Sequence, residues 1–148
     1  MATSKTETQP SLAITRQFNA APAKVWRAIT EPESLKHWMG PTEDFKTPVA
    51  EADLRVGGRY RIVMHAPDGQ VHEVSGVYRE VAPNRRLVYT WAWKSTPEQE
   101  SLVTIELRAI GNGTEFSLKH EQFADEGSRD HHNQGWNGCL ARLEKAVA

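Results

Sequence analysis

The sequence predicts an α+β fold in which a curved antiparallel sheet of about seven strands wraps one long C-terminal helix, with a pair of short helices after the first strand. Three observations lead there. Only Glu126 to Ala148 reads as a long amphipathic helix: Trp136, Leu140, Leu143 and Val147 recur at helical spacing, with Cys139 and Ala146 beside them. Asn133, Asn137, Arg142 and Glu144 fall elsewhere around it. The chain ahead of this helix consists mainly of alternating apolar and polar residues broken by short turns, the pattern of an antiparallel meander. Finally, each large side chain of the helical stripe contributes about 1.5 to 3 kcal/mol once buried, so the stripe requires a partner, and strands are what the chain supplies.

Residues 1–10 are polar and without periodicity, and read as a mobile leader ahead of a single domain spanning residues 11–148. From Ser11 to Phe18, Leu12, Ile14 and Phe18 share one parity, a half-buried strand interrupted by Arg16. Pro22 stands where a helix accepts its first proline, and Val25, Trp26 and Ile29 follow at helical spacing. A second helix begins at once: Thr30 and Glu33 have capping-box spacing, Pro32 falls in the first turn, and Leu35, Trp38 and Met39 form its apolar edge. The pair is expected to form a V, ended by Gly40-Pro41. An irregular stretch with Phe45 and Pro48 leads to a strand near Val49 to Leu54, and Gly57-Gly58 demands a tight turn.

From Arg59 to Ala66 the alternation is clear, with Tyr60, Ile62 and Met64 on one face. Pro67-Asp68-Gly69 is a strong hairpin turn, since proline presets one torsion and glycine tolerates positive φ. Val71 to Ala82 returns as a strand whose parity breaks near Gly76, predicting a bulge there. After Pro83-Asn84, Leu87, Tyr89, Trp91 and Trp93 alternate on one strand. A polar loop from Ser95 to Glu100 precedes Val103, Ile105 and Leu107; Gly111-Asn112-Gly113 turns the chain once more, and Phe116, Leu118 and His120 alternate to the start of the helix.

At 148 residues the chain is long enough to bury about 68 to 70% of its unfolded surface without a disulfide or structural metal. A net charge of −1 gives no basic surface for nucleic acid or acidic lipid, and no run is long enough to span a membrane. One cysteine and the lack of a secretory signal predict a cytoplasmic protein; the oligomeric state, monomer or homodimer, stays open.

Seven phrases carry a resemblance: Phe18 to Trp26, Thr30 to Trp38, Asp53 to Tyr60, Pro67 to Gly69, Gly76 to Tyr78, Arg86 to Trp93, and Gly135-Trp136 with Leu140 and Leu143. In this order the chain, from about Ala13 to its end, resembles homologues of the activator of the heat-shock protein 90 ATPase. These belong to the START-like (SRPBCC) group that includes the birch-pollen allergen fold and polyketide cyclases. The resemblance implies a helix-grip fold of seven strands, and a cavity between sheet and helix of the kind the group uses for apolar molecules. It also implies an alternative role as a chaperone-accessory or stress-response interaction protein. Eukaryotic activators carry a further N-terminal chaperone-docking domain, which ten polar residues are too few to form.

The candidate site is a ligand cavity lined by Trp38, Tyr60, Ile62, Met64, Tyr89, Trp91, Trp93, Phe116, Leu118, His120, Trp136 and Leu140: apolar walls with polar tips on Tyr89, Trp91 and His120. The same set could simply fill a core. At about 24 cal/mol per Å³, an empty void of about 300 Å³ would cost about 7 kcal/mol, so a large cavity needs an occupant, ordered water or a functional reason. His131 and His132 diverge by about 100° on a helix, cannot face one ion together and read as solvated. His120 reads as a hydrogen-bonded core histidine more readily than as the base of a cyclase or hydrolase, which would need a carboxylate or nucleophile beside it. Cys139 has no basic neighbour in the preceding turn, His132 being a weak candidate two turns back, and reads as an inert packed thiol. Asp44, Glu51 and Asp53 read as loop and edge acids, and Gly57-Gly58 lacks a phosphate-binding pattern. The expected ligand is a small apolar or aromatic molecule, bound without metal or cofactor.

Overall fold

The computed structural model describes residues 9–148. The proposed leader thus falls almost wholly outside the described residues. Seven antiparallel strands form one sheet in the order β1-β7-β6-β5-β4-β3-β2. The strands are β1 (Leu12–Phe18), β2 (Lys46–Ala52), β3 (Arg59–His65), β4 (Val71–Ala82), β5 (Arg86–Trp93), β6 (Ser101–Ile110) and β7 (Gly113–Glu121). Helices α1 (Pro22–Thr30) and α2 (Pro32–Trp38) follow β1, and α3 (Glu126–Val147) ends the chain. This is the α+β, helix-grip arrangement. Only the first and last strands of the meander are non-consecutive neighbours, with Leu12 opposite His120 and Phe18 opposite Thr114.

Alternation decides which face of each strand is inside. Tyr60, Ile62 and Met64 of β3, Leu87, Tyr89 and Trp91 of β5, and Phe116, Leu118 and His120 of β7 are all buried, as are Trp136, Cys139, Leu140, Leu143 and Val147 of α3. Ala146 is exposed, one step too far around the helix to share that stripe.

Polar groups fix how α3 sits. Asp125 caps its N-terminus by accepting from the Ser128 N–H at 2.7 Å. Arg16 of β1 reaches Asn137 Oδ1 at 3.3 Å and Glu144 at 3.5 Å, so the residue that interrupts the apolar pattern of β1 serves as its tie to the helix. On the other flank, the Arg142 guanidinium donates to the carbonyls of His37, Gly40 and Thr42, and the Gly40 N–H donates to Cys139 Sγ at 3.3 Å. The linker after α2 is thereby strapped to the C-terminal half of α3.

Three local expectations are corrected. Thr30 does not cap α2: its hydroxyl donates back to the Trp26 carbonyl at 2.7 Å, and Glu31 occupies the cap position without a side-chain bond. The bulge of β4 lies between Tyr78 and Glu80 rather than at Gly76. Gly76 answers a different constraint, because a Cβ there would stand 2.0 Å from the Thr90 carbonyl oxygen. Finally, β2 begins at Lys46 and contains Pro48, which an edge strand accommodates because its missing N–H interrupts the ladder only locally, at a register shift between Lys46 and Val49.

Two glycines of α3 separate the packed half of the helix from the open half. A Cβ on Gly138 would stand 2.2 Å from the Pro41 carbonyl oxygen, whereas one on Gly135 would meet nothing within 4 Å. Gly135→Ala should therefore stabilise by about 0.5 to 1 kcal/mol through helix propensity, and Gly138→Ala should destabilise by about 1 to 3 kcal/mol through overpacking. Urea unfolding of both variants checks this, and equal shifts would contradict the close approach at Gly138.

Candidate functional site

The N-terminal half of α3 stands off from β3, β4 and β5, leaving a half-open cleft of about 700 Å³. Its walls are Trp91 and Trp93 of β5, Met64 of β3, Trp136 and Cys139 of α3, and Met39 and Phe45 of the linker. The rim carries His72, Glu73, Lys94, Ser128 and His131. Indole packing is dense: Trp91 lies 5.2 Å from Trp136 and meets Trp93 edge-on at 5.4 Å and 90°.

Four of the twelve residues expected to line a cavity do so: Met64, Trp91, Trp93 and Trp136. Trp38, Tyr60, Ile62 and Tyr89 instead surround, with Trp91, a separate void of about 20 Å³, room for about one water. Phe116, Leu118, His120 and Leu140 are 0 to 1% exposed and belong to the packed core. The two readings of the aromatic set, pocket and core, thus each hold for part of it. Strand parity assigns a face, but it does not say which part of that face the helix covers. Two side chains around this void bond to backbone: the Trp38 indole donates to the Ala28 carbonyl at 2.8 Å and the Tyr60 hydroxyl to the Thr90 carbonyl at 2.5 Å. The Trp91 Nε1–H is buried without a hydrogen-bond partner among the described residues.

His120 sits at the centre of a buried relay. The Trp136 indole N–H, which can only donate, bonds His120 Nδ1 at 2.9 Å, so Nδ1 must be the acceptor nitrogen. Nε2 therefore carries the proton and donates to Ser101 Oγ at 2.7 Å, and the Ser101 hydroxyl donates to the Trp91 carbonyl at 3.2 Å. This tautomer cannot take a proton from Ser101, so the pair is a structural link rather than a nucleophile and its base. Burial, with His132 nearby, pushes His120 down to about 2.

His132 is the principal residue misjudged from sequence. It is half-buried, accepts from the Trp93 indole N–H at 2.8 Å and is held by the Ser128 carbonyl at 2.7 Å from Nδ1. Burial also lowers its pKa. It forms the closing side of the cleft because the first turns of α3 lean over Trp93, whereas His131 is exposed at the rim. Extending the apolar stripe backward from Cys139 and Trp136 by steps of three and four reaches Gly135, His132 and Ser128, the one sequence signal that finds this wall. Cys139 matches its expected inert character, its thiol raised to about 11 by burial. The site thus offers neutral, closely packed aromatic and sulfur-bearing surface, suited to holding a molecule by shape and stacking.

A sheet that grips a terminal helix and leaves a cleft between them defines a helix-grip protein. The family model for activator of Hsp90 ATPase homolog 1-like protein matches residues 19–148, and the chain belongs to that family. Similar solved structures include a protein of Chromobacterium violaceum, with 31% identity, 93% of this chain and 96% of that one covered, and a TM-score of 0.84. A protein of Nitrosomonas europaea shares 28% identity over 93% of each chain with a TM-score of 0.79. The AHSA1 protein of Silicibacter pomeroyi shares 27% identity over 92% of this chain and 96% of that one, with a TM-score of 0.80. Among curated proteins none matches significantly. No helix among the described residues is long and apolar enough to cross a membrane.

The His120 relay has a pH signature. In the unfolded chain the imidazole protonates near pH 6.5, in the fold near pH 2, so the unfolded state holds more protons between these values. Its stabilising contribution is complete above pH 6.5 and is lost as pH falls towards 2, by about 1.4 kcal/mol per unit. Urea unfolding at about pH 7 and about pH 5 should differ by about 2 kcal/mol from this ring alone. His120→Gln should remove most of that difference and His132→Gln only a lesser part; identical pH dependence in parent and His120→Gln would contradict the relay.

Proposed function

We propose that this protein binds a small apolar or aromatic molecule in the cleft between β5 and α3, with no cofactor. The observation that carries the reading is the wall formed by Trp91, Trp93 and Trp136 around an opening of about 700 Å³. Ligand sites span about 300 to 1,000 Å³, are mainly apolar and have a few polar groups at fixed places, and this cleft meets each condition. Stacking on three indoles favours a flat ring system over a flexible chain, since aromatic pairs add about 0.5 to 1.5 kcal/mol beyond area burial. Membership of a family built on the helix-grip fold supports the same reading.

The neutral probe N-phenylnaphthylamine provides the test. It should bind one to one, with blue-shifted emission and energy transfer from the cleft tryptophans. Gly135→Phe, which directs a ring into the space that Gly135 leaves open, should weaken binding by about tenfold or more, equivalent to about 1.4 kcal/mol, while the unfolding midpoint is kept. Equal affinity in parent and folded Gly135→Phe would place the probe elsewhere and remove the proposal.

A further inference from the structure

Resting on that reading, we infer that the cleft's ligand is an amphipathic anion: a flat apolar body against the indoles and an acidic head, such as a carboxylate, at the rim beside Lys94. The deep walls, Met39, Met64, Trp91, Trp136 and Cys139, present no charged group, so a charged head has to remain at the mouth. The sign of that head follows from which rim charges already have partners.

Glu73, the acid of the rim, is taken. Its Oε2 accepts from Arg61 Nε at 2.8 Å, and its side chain is 19% exposed. The Arg61 bond holds its carboxyl below the usual range, so it stays ionised and paired. Asp130, next to the rim residue His131, pairs with Arg129 at 2.7 Å. Lys94 stands apart. Its only ionic contact among the described residues is the far oxygen of Glu73 at 3.9 Å, and its side chain is 78% exposed. The root of Lys94 is nevertheless fixed, because its backbone N–H donates to the Glu73 carbonyl at 2.9 Å, one residue beyond Trp93. A cation entering here would meet a carboxylate already paired with Arg61, and an ammonium. An anion would meet the ammonium and the hydroxyls of Ser95, Thr96 and Ser128, all at the rim.

Three naphthalenes of one body and different heads test this: naphthoate, naphthalenemethanol and naphthylmethylammonium, titrated against the folded full chain by tryptophan quenching. Naphthoate should bind about fivefold tighter than the alcohol and the ammonium weakest, with the preference shrinking as salt is raised. Lys94→Gln, at an exposed position, should weaken naphthoate by about fivefold and leave the alcohol within about twofold. Two results would overturn the anionic head while sparing the cleft: an ammonium that binds as well as naphthoate, or a Lys94→Gln loss shared by all three, each with the alcohol still abolished by Gly135→Phe. Failure of all three probes to bind, or binding unaffected by Gly135→Phe, would overturn the cleft reading together with the inference.

Discussion

The bond between the Trp136 indole and His120 holds the molecule's two halves in register. Through it, α3 is joined to β7; through Ser101, β7 is joined to β6; through the Trp91 carbonyl, β6 is joined to the wall of the cleft. Each polar atom in this series is both buried and used, a condition under which such a network orders a core instead of weakening it. Because the indole can only donate, it dictates the histidine tautomer, and that tautomer dictates the direction of every bond beyond it. An apolar replacement could match the packing but not this directionality.

The same helix is closely packed along its C-terminal half and borders the cleft along the other. Leu140, Leu143 and Val147 are fully buried, and Arg142 and Gly138 bring the linker after α2 hard against the helix. Toward its N-terminus the helix presents Gly135, Ser128 and two histidines, and it meets the tryptophans of the sheet only through the side chains of His132 and Trp136. The division is energetically sensible. The cleft is open to water, so it avoids the full penalty of an empty interior void, while the close contacts that hold the helix are concentrated at the other end.

Much of this was legible in the sequence. Strand parity in Tyr60-Ile62-Met64 and Leu87-Tyr89-Trp91-Trp93, the prolines at the starts of α1 and α2, and the Pro67-Asp68-Gly69 turn are local signals, and each led to the observed element. Signals that admitted two geometries failed. Thr30 could cap the helix ahead or bond the helix behind, and the tertiary burial of its side chain selected the second. Gly76 could mark a bulge or a close approach, and only the neighbouring Thr90 carbonyl distinguishes them. The site was half legible for a similar reason: facing inward is a property of a strand, whereas facing a space depends on where a helix that begins 35 residues beyond Trp91 ends its contact. His132 was hidden because adjacent histidines look solvated until the lean of α3 over Trp93 is known.

The closure of the sheet has a consequence for biogenesis. Among the described residues the opening strand pairs only with the final one, and the helix that fills the concavity is translated after all seven strands. A nascent chain therefore displays Trp91 and Trp93 to the surrounding medium from the time β5 is made until that helix follows, with β1 unpaired until β7 appears. Such long-range pairing forms slowly and leaves apolar surface available to other chains in the meantime. The helix that completes the cleft is thus also what ends this vulnerable interval, and shortening it would yield an uncovered trough instead of a smaller domain.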